Sequence, residues 1–207
     1  MNAADAHIYI IEDDASFRKS VERLVRASGF EALSFDSAEA FLSNAVIRHP
    51  ACLLLDVQLP DVEGIAFHKT LREKGYSLPV IFMTGHGTIP MGVAAMKNGA
   101  IDFLPKPFEK KDLLAAIEKA LEHDLRGAQA GSEKETINAM IGTLTPREKE
   151  VLRWVITGKP NKVIADALGT TEKTIKVHRG RVMEKTKASS VADLVRMAAK
   201  VDISPAE

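Results

Sequence analysis

The sequence predicts a doubly wound parallel α/β sheet of five strands, followed by a small all-α domain of four helices. Three observations support this fold class. Over residues 7–121, five short apolar runs alternate with five amphipathic stretches, as in a parallel sheet covered by helices on both faces. Beyond residue 142 only helical patterns follow, including a short helix, a glycine turn and a longer helix. Residues 143–207 also carry 13 basic and 8 acidic side chains, a charge of +5 in a chain whose net charge is zero.

Length and composition exclude several classes of protein. The 207 residues are 45% hydrophobic and 27% charged, which is ordinary for globular domains. The chain lacks the run of about 20 apolar residues that spans a bilayer, and its first residues lack the features of a signal peptide. The single cysteine, Cys52, rules out an internal disulfide and lies in an apolar run. We therefore expect a cytoplasmic protein without a membrane partner.

The first domain is predicted over residues 1–122 from alternating strands and helices. Each predicted strand is a short apolar run that stops at polar or turn residues. The predicted strands are residues 7–12, 31–35, 53–56, 78–84 and 101–104. The predicted helices are residues 15–28, a segment capped by Ser37, and residues 64–74, 88–98 and 109–121. Apolar residues recur at helical spacing in these stretches, and Gly29 and Gly99 follow two of them as stop signals.

Polar side chains follow four of the predicted strands. Asp13 and Asp14 follow the first, Asp56 ends the third, Thr84 ends the fourth and Lys106 follows the fifth. The carboxyl ends of parallel strands share one edge of a sheet, so these groups should converge. Gathered carboxylates repel one another unless a cation lies among them, and oxygen ligands suit Mg²⁺. A central carboxylate can then accept a phosphoryl group. The alternative is that these are unrelated polar residues where loops begin, which are common one at a time. Five of them at the expected strand ends disfavour this alternative.

These residues resemble the receiver domains of two-component systems, which have a flavodoxin-like fold. The resemblance rests on Asp13-Asp14, Asp56, Thr84, Phe103 and Lys106 before Pro107, and the stretch from 84 to 103 is similar to the FixJ subfamily. It implies phosphoryl transfer from a sensor histidine kinase to Asp56. It also implies Mg²⁺ bound by Asp13, Asp14 or Glu12, Asp56 and the Val57 carbonyl.

The same resemblance implies a conformational switch. Thr84 would move toward the phosphoryl group and Phe103 would turn inward, while the Lys106–Pro107 bond is expected to be cis. A plain core aromatic is the alternative interpretation of Phe103. Residues 88–104 would then form a dimerisation surface. The residues predicted for that surface are Val93, Met96 and Ile101.

A linker is predicted at residues 123–142. Gly127, Gly131 and Ser132 interrupt the helical pattern, so we expect a partly helical linker with a hinge at 127–132. Two roles stay open for it: a flexible tether, or a helix that docks the two domains in the resting state. Motion between domains is the default expectation, which favours the tether.

The second domain, residues 143–207, carries a helix-turn-helix pattern. Thr145 and Glu148 have the spacing of a capping box before the first helix. A short helix at 161–168, a turn at Gly169 and a longer helix at 172–186 follow, with a last helix at 191–200. The longer helix places a basic face opposite its apolar face, and a basic face suits binding in the major groove of DNA. The ordinary alternative interpretation is a charged face that is only exposed to solvent.

This domain resembles the LuxR/FixJ-type DNA-binding domain. The matching segments are Leu-Thr-Pro-Arg-Glu-Lys-Glu-Val-Leu, Gly-Lys-Pro-Asn-Lys-Val-Ile-Ala and Thr-Ile-Lys-Val-His-Arg-Gly-Arg-Val-Met-Glu-Lys. The resemblance implies contacts of Lys176 and Val177 with base edges. It favours phosphate contacts for Lys162, Lys173, Arg179 and Arg181. It implies dimerisation through the last helix, at Val191 and Leu194.

The leading hypothesis is a phosphorylation-dependent transcription regulator of the FixJ/NarL type, which is not an enzyme. Its predicted partners are a histidine kinase, double-stranded DNA with paired half-sites, a second copy of the chain and, as a further candidate, RNA polymerase. A second hypothesis is an atypical regulator controlled by a partner protein; the complete set of acidic, threonine and lysine residues disfavours it. A third is a phosphohydrolase with Asp56 as nucleophile, which would leave the basic domain without a role.

Overall fold

The structure, a computed structural model, describes residues 5–85 and 88–207. The chain divides into two compact units, Met1–Ala128 and Gln129–Glu207. The first four residues, where we expect no signal peptide, and residues 86 and 87 lie outside the described residues. Within the described parts of the chain, no helix is both long and apolar enough to cross a membrane.

The first unit contains a five-stranded parallel sheet with the strand order β2-β1-β3-β4-β5, so the predicted fold class is confirmed. The strands are β1 His7–Ile11, β2 Glu31–Phe35, β3 Ala51–Asp56, β4 Val80–Thr84 and β5 Asp102–Pro105. The helices are α1 Ala15–Ala27, α2 Ala38–Asn44, α3 Gly64–Glu73, α4 Ile89–Lys97 and α5 Lys110–Gly142. β4 begins two residues later than predicted, because Pro79 has no N–H to donate to a neighbouring strand.

The central strand β3 determines the position of Asp56. All six of its residues are buried. Cys52 and Leu54 pack into the core on one side of the sheet, and Leu53 and Leu55 pack on the other. A strand covered on both faces is a continuous apolar run, which is what the sequence shows. Asp56 is its last residue and is therefore held at the carboxyl edge, between the ends of β1 and β4.

Helix α5 runs without interruption from Lys110 to Gly142, so the break predicted at Gly127, Gly131 and Ser132 is wrong. All residues from 126 to 136 are exposed. A glycine inside a helix costs about 1 kcal/mol relative to alanine, which weakens a helix without forbidding it. Ala128 and Ala130, which favour helix strongly, stand between the two glycines.

The second unit contains four further helices: α6 Pro146–Val155, α7 Asn161–Ala167, α8 Glu172–Thr186 and α9 Val191–Lys200. Hydroxyl side chains cap three of them, and the turn between α7 and α8 contains Gly169 at a φ of 60°, where a side chain would be strained. Val151, Ile164, Ile175 and Val182 are buried together in its core. The four predicted helices and their helix-turn-helix arrangement are therefore present.

Candidate functional site

Three carboxylates form a cluster at the carboxyl edge of the sheet. Glu12, Asp13 and Asp56 each offer an oxygen atom, and these atoms lie within 4.8 Å of one another. Glu12 and Asp56 are buried, at 1% and 6% exposure, whereas Asp13 is exposed. The cluster is close because β1 and β3 are neighbours that end at the same level.

Asp14 lies outside this cluster, which corrects the predicted metal ligand at this position. Its Oδ1 atom accepts hydrogen bonds of 2.8 Å from the amides of Ser16 and Phe17, so Asp14 is the N-cap of α1. These amide bonds hold the pKa of Asp14 below its usual range. The carboxylate beside Asp56 belongs to Glu12 instead, the alternative that the acidic run had left open.

Lys106 joins the two buried carboxylates. Its Nζ atom donates to Glu12 Oε2 at 2.5 Å and to Asp56 Oδ2 at 2.8 Å. The backbone amide of Lys106 donates to the carbonyl of Thr84 at 2.7 Å, which ties the loop after β5 to the end of β4. The Lys106–Pro107 bond is cis, as expected from the resemblance.

The electrostatics of the cluster favour an added cation. Burial raises the pKa of Glu12 to about 7, the charge of Asp56 also raises it, and the hydrogen bond from Lys106 acts in the opposite direction. One ammonium group therefore does not compensate for two buried carboxylates and Asp13 beside them. A divalent ion bound by carboxylate oxygens fits this donor set.

The turn after Asp56 is tightly packed. The Val57 carbonyl, which we predicted as a metal ligand, accepts a hydrogen bond of 2.8 Å from the Gly64 amide at the start of α3. A Cβ atom on Gly64 would lie 2.2 Å from the carbonyl oxygen of Asp56. Gln58 donates its amide to Asp56 Oδ1 at 3.1 Å. A carbonyl oxygen has a second lone pair, so this bond leaves the Val57 carbonyl able to bind a metal ion, and that role stays a prediction.

Thr84 and Phe103 lie on the strands beside β3. Thr84 is fully buried at the end of β4. Phe103, on β5, is half-buried, and its ring would lie 3.5 Å from a Cβ atom placed on Gly92 of α4. On the outer side of α4, Val93 and Met96 are 48% and 46% exposed. Ile101, the third residue predicted for this surface, is partly buried against the core.

Helix α8 presents an exposed face in the second unit. Its exposed residues include Lys173, Lys176, Val177 and Arg181, and Lys162 of α7 is exposed as well. Arg179, by contrast, is half-buried and donates to Asn161 Oδ1 at 3.0 Å, so its guanidinium connects the two helices of the motif.

Helix α9 differs from the prediction at one of its two dimerisation residues. Leu194 is 1% exposed and packs into the core of its own unit, so its assignment to a shared surface is wrong. Val191 is partly buried against the same core, and Val195 is 40% exposed. The apolar side of a small helical domain must first be covered by that domain's own core, which the sequence pattern of one helix does not reveal.

Comparisons with known proteins agree with both parts of the chain. The family described as response regulator receiver domain matches residues 8–118, and bacterial regulatory proteins of the luxR family match residues 142–198. The chain belongs to the DNA-binding two-component response regulators of the FixJ/LuxR family.

Several relatives match this response regulator over nearly its whole length. Nodulation protein W of Bradyrhizobium diazoefficiens is 42% identical over 199 residues, which are 96% of this chain and 88% of the relative. Transcriptional regulatory protein FixJ of Rhizobium meliloti is 40% identical, over 94% of this chain and 95% of the relative. Among solved structures, response regulator StyR is 41% identical with a TM-score of 0.78, covering 95% of this chain and 100% of its own.

Sequence reasoning missed two supporting groups in this response regulator. Arg18 Nη1 donates to the carbonyls of Glu12 and Asp13 at 2.6 and 3.0 Å, and so holds the acidic loop. The ring of Phe17 lies under Lys106, with Nζ 4.4 Å from its centroid. Their position in the first turns of α1, directly after the acidic run, is the only sequence signal for either of them.

A partly buried ion pair connects α6 to α8. Glu148 completes the capping box of α6 with Thr145 and accepts a 2.6 Å hydrogen bond from Lys185 Nζ. The bond from Lys185, followed by the amide of Thr145, lowers the pKa of Glu148 to about 2. The start of the first helix of the domain is thereby linked to the end of the exposed basic helix.

Proposed function

We propose that this response regulator accepts a phosphoryl group on Asp56 from a histidine kinase and thereby controls its binding to DNA. The observation that carries the proposal is the buried Asp56 carboxylate at the end of β3, hydrogen-bonded to Lys106. An Asp56 oxygen would form a bond to phosphorus, while the bond from phosphorus to the donor histidine nitrogen breaks and the nitrogen keeps the electron pair. Lys106 would stabilise the charge of the phosphoryl oxygens.

We propose that Glu12, Asp13 and Asp56 hold a magnesium ion. Their close oxygen atoms, the exposure of Asp13 to solvent and the raised pKa of Glu12 support this ligand set. When bound, the ion supplies positive charge that neutralises the carboxylates and the incoming phosphoryl oxygens. Arg18 would keep the acidic loop in place through its two carbonyl contacts.

The proposed switch runs from Thr84 to the surface of α4. Thr84 lies at the end of the strand next to Asp56, and Phe103 lies between the sheet and Gly92 of α4. Movement of the threonine toward a phosphoryl group would leave room for the ring and shift α4. The exposed Val93 and Met96 would then form the dimer contact.

The proposed DNA contacts lie on the exposed face of α8. Lys176 and Val177 would reach base edges, and Lys162, Lys173 and Arg181 would contact phosphates. A dimer would bring two such helices to paired half-sites.

The proposed domains are a receiver at residues 1–122, a linker at 123–142 and a DNA-binding domain at 143–207. The protein would act in the cytoplasm, where the DNA lies, and RNA polymerase is a further proposed partner. We propose no enzymatic turnover of a substrate.

The proposal is tested by replacing Asp56 with asparagine and by using Asp61→Asn as the matched control. The wild type and the control should become phosphorylated with acetyl phosphate and magnesium, dimerise in sedimentation experiments and protect paired half-sites in genome-wide footprinting. Asp56→Asn should do none of these. Equal dimerisation and DNA protection with and without the phosphoryl donor would instead support control by a partner protein.

A further inference from the structure

We propose that Phe17 is a positioning residue that holds the Lys106 ammonium for phosphoryl transfer. This inference deepens the proposed function and rests on phosphorylation of Asp56. The Nζ atom of Lys106 lies 4.4 Å from the centroid of the Phe17 ring, within the range at which the negative face of an aromatic ring attracts a cation.

The ring contact adds to two hydrogen bonds around the ammonium group. Glu12 and Asp56 accept its hydrogen bonds at 2.5 and 2.8 Å, and the side chain of Lys106 is only 16% exposed. A lysine has a flexible four-carbon stem and freely rotating donors, so its neighbours must determine where its charge lies. Phe17 supplies an apolar contact of this kind from the side of α1.

The position of the ring is itself determined by the fold. The amide of Phe17 donates to the capping Asp14 carboxylate at 2.8 Å, which fixes the backbone at the start of α1. The ring packs edge-to-face against Phe108, with centroids 5.7 Å apart and planes at 80°. Phe108 follows Lys106 by two residues. The loop that carries the lysine therefore also carries the aromatic residue that supports the Phe17 ring.

The contact matters because Lys106 must change partners during the reaction. Its hydrogen bonds to two carboxylates have to give way to bonds with phosphoryl oxygens. Attraction to the face of a ring uses no particular N–H donor, so it can persist while the hydrogen bonds are exchanged. The ring would therefore keep the ammonium within reach of the reacting phosphorus in both states.

Packing alone is the competing explanation, because Phe17 also contacts the core. Phe17→Leu keeps an apolar side chain but removes the ring, and Phe17→Tyr restores it. We expect Phe17→Leu to slow phosphorylation by acetyl phosphate about three- to tenfold and Phe17→Tyr to remain near the wild-type rate. Phe30→Leu, in the same core cluster but at the far end of the sheet, should lower stability and leave the rate unchanged.

A double-mutant cycle tests whether Phe17 acts through Lys106. In a Lys106→Met background, Phe17→Leu should slow phosphorylation further by less than about twofold, because the interaction is already absent. Phe17→Met replaces Phe17→Leu if the leucine variant does not fold. A wild-type rate in these variants, or the same loss in both backgrounds, overturns the inference and leaves the proposed function intact. No phosphorylation of the wild-type chain overturns both.

Discussion

Replacing Gly64 by alanine measures how tightly α3 packs on the end of strand β3. The added Cβ would lie 2.2 Å from the Asp56 carbonyl oxygen, so the two atoms must separate by at least 0.8 Å to reach 3.0 Å. Overpacking of this kind costs about 1–3 kcal/mol. The displacement also breaks the bond from the Gly64 amide to the Val57 carbonyl, at about 1 kcal/mol. The expected loss is therefore about 2–4 kcal/mol in the free energy of unfolding.

Urea unfolding resolves this effect because the fluorescent residues are divided between the units. Tyr9 and Tyr76 belong to the first unit, and the single tryptophan, Trp154, belongs to the second. The tyrosine transition of Gly64→Ala should move down by about 1–2 M urea, with the tryptophan transition unchanged.

The matched control is Gly127→Ala, at a helical position where, apart from adjacent residues and the backbone of its own helix, no described heavy atom lies within 4 Å of an added Cβ. It should raise the stability of the first unit by about 0.5–1 kcal/mol. A Gly64→Ala variant that unfolds at the wild-type urea concentration would refute the packing argument.

Three further predictions concern the acidic loop, the ion pair of Glu148 and Lys185, and the proposed DNA-binding face. Asp14→Ala should lower the melting temperature of the first unit and preserve magnesium affinity, whereas Glu12→Gln should weaken magnesium binding; the reverse result in magnesium titrations would return the ligand role to Asp14. Because the folded pKa of Glu148 is about 2 against an ordinary 4.5, the stability it contributes is complete above about pH 4.5 and is lost as the pH falls toward 2. Lys185→Met should flatten this dependence of the tryptophan transition, and an unchanged pH profile would contradict the role of the pair. Arg181→Ala should reduce the slope of log K against log salt by about 0.9 in DNA-binding titrations, and an unchanged slope would exclude a phosphate contact.

The sequence was sufficient for the fold class and for the gathering of Asp56, Thr84 and Lys106. An apolar run that ends at a polar residue predicts a buried strand and also identifies the polar side chain at the end of that strand. In a parallel sheet, those ends share one edge. The exposed basic face of α8 could likewise be predicted from helical periodicity. The strand ends and the helix face are both consequences of regular local geometry.

The tertiary structure decided the matters that depend on a shift of one residue or on a distant neighbour. Glu12, Asp13 and Asp14 are equally acidic in sequence, and only the start of α1 determines that Asp14 caps a helix while Glu12 meets Asp56. Leu194 has the pattern of a surface contact, yet the core of its own unit covers it. Phe17 and Lys106 are 89 positions apart (106 − 17), and no periodicity brings an aromatic face to an ammonium group across that separation. Local pattern determines which elements form and which way they face. Packing between elements determines which of several similar side chains reaches a given site.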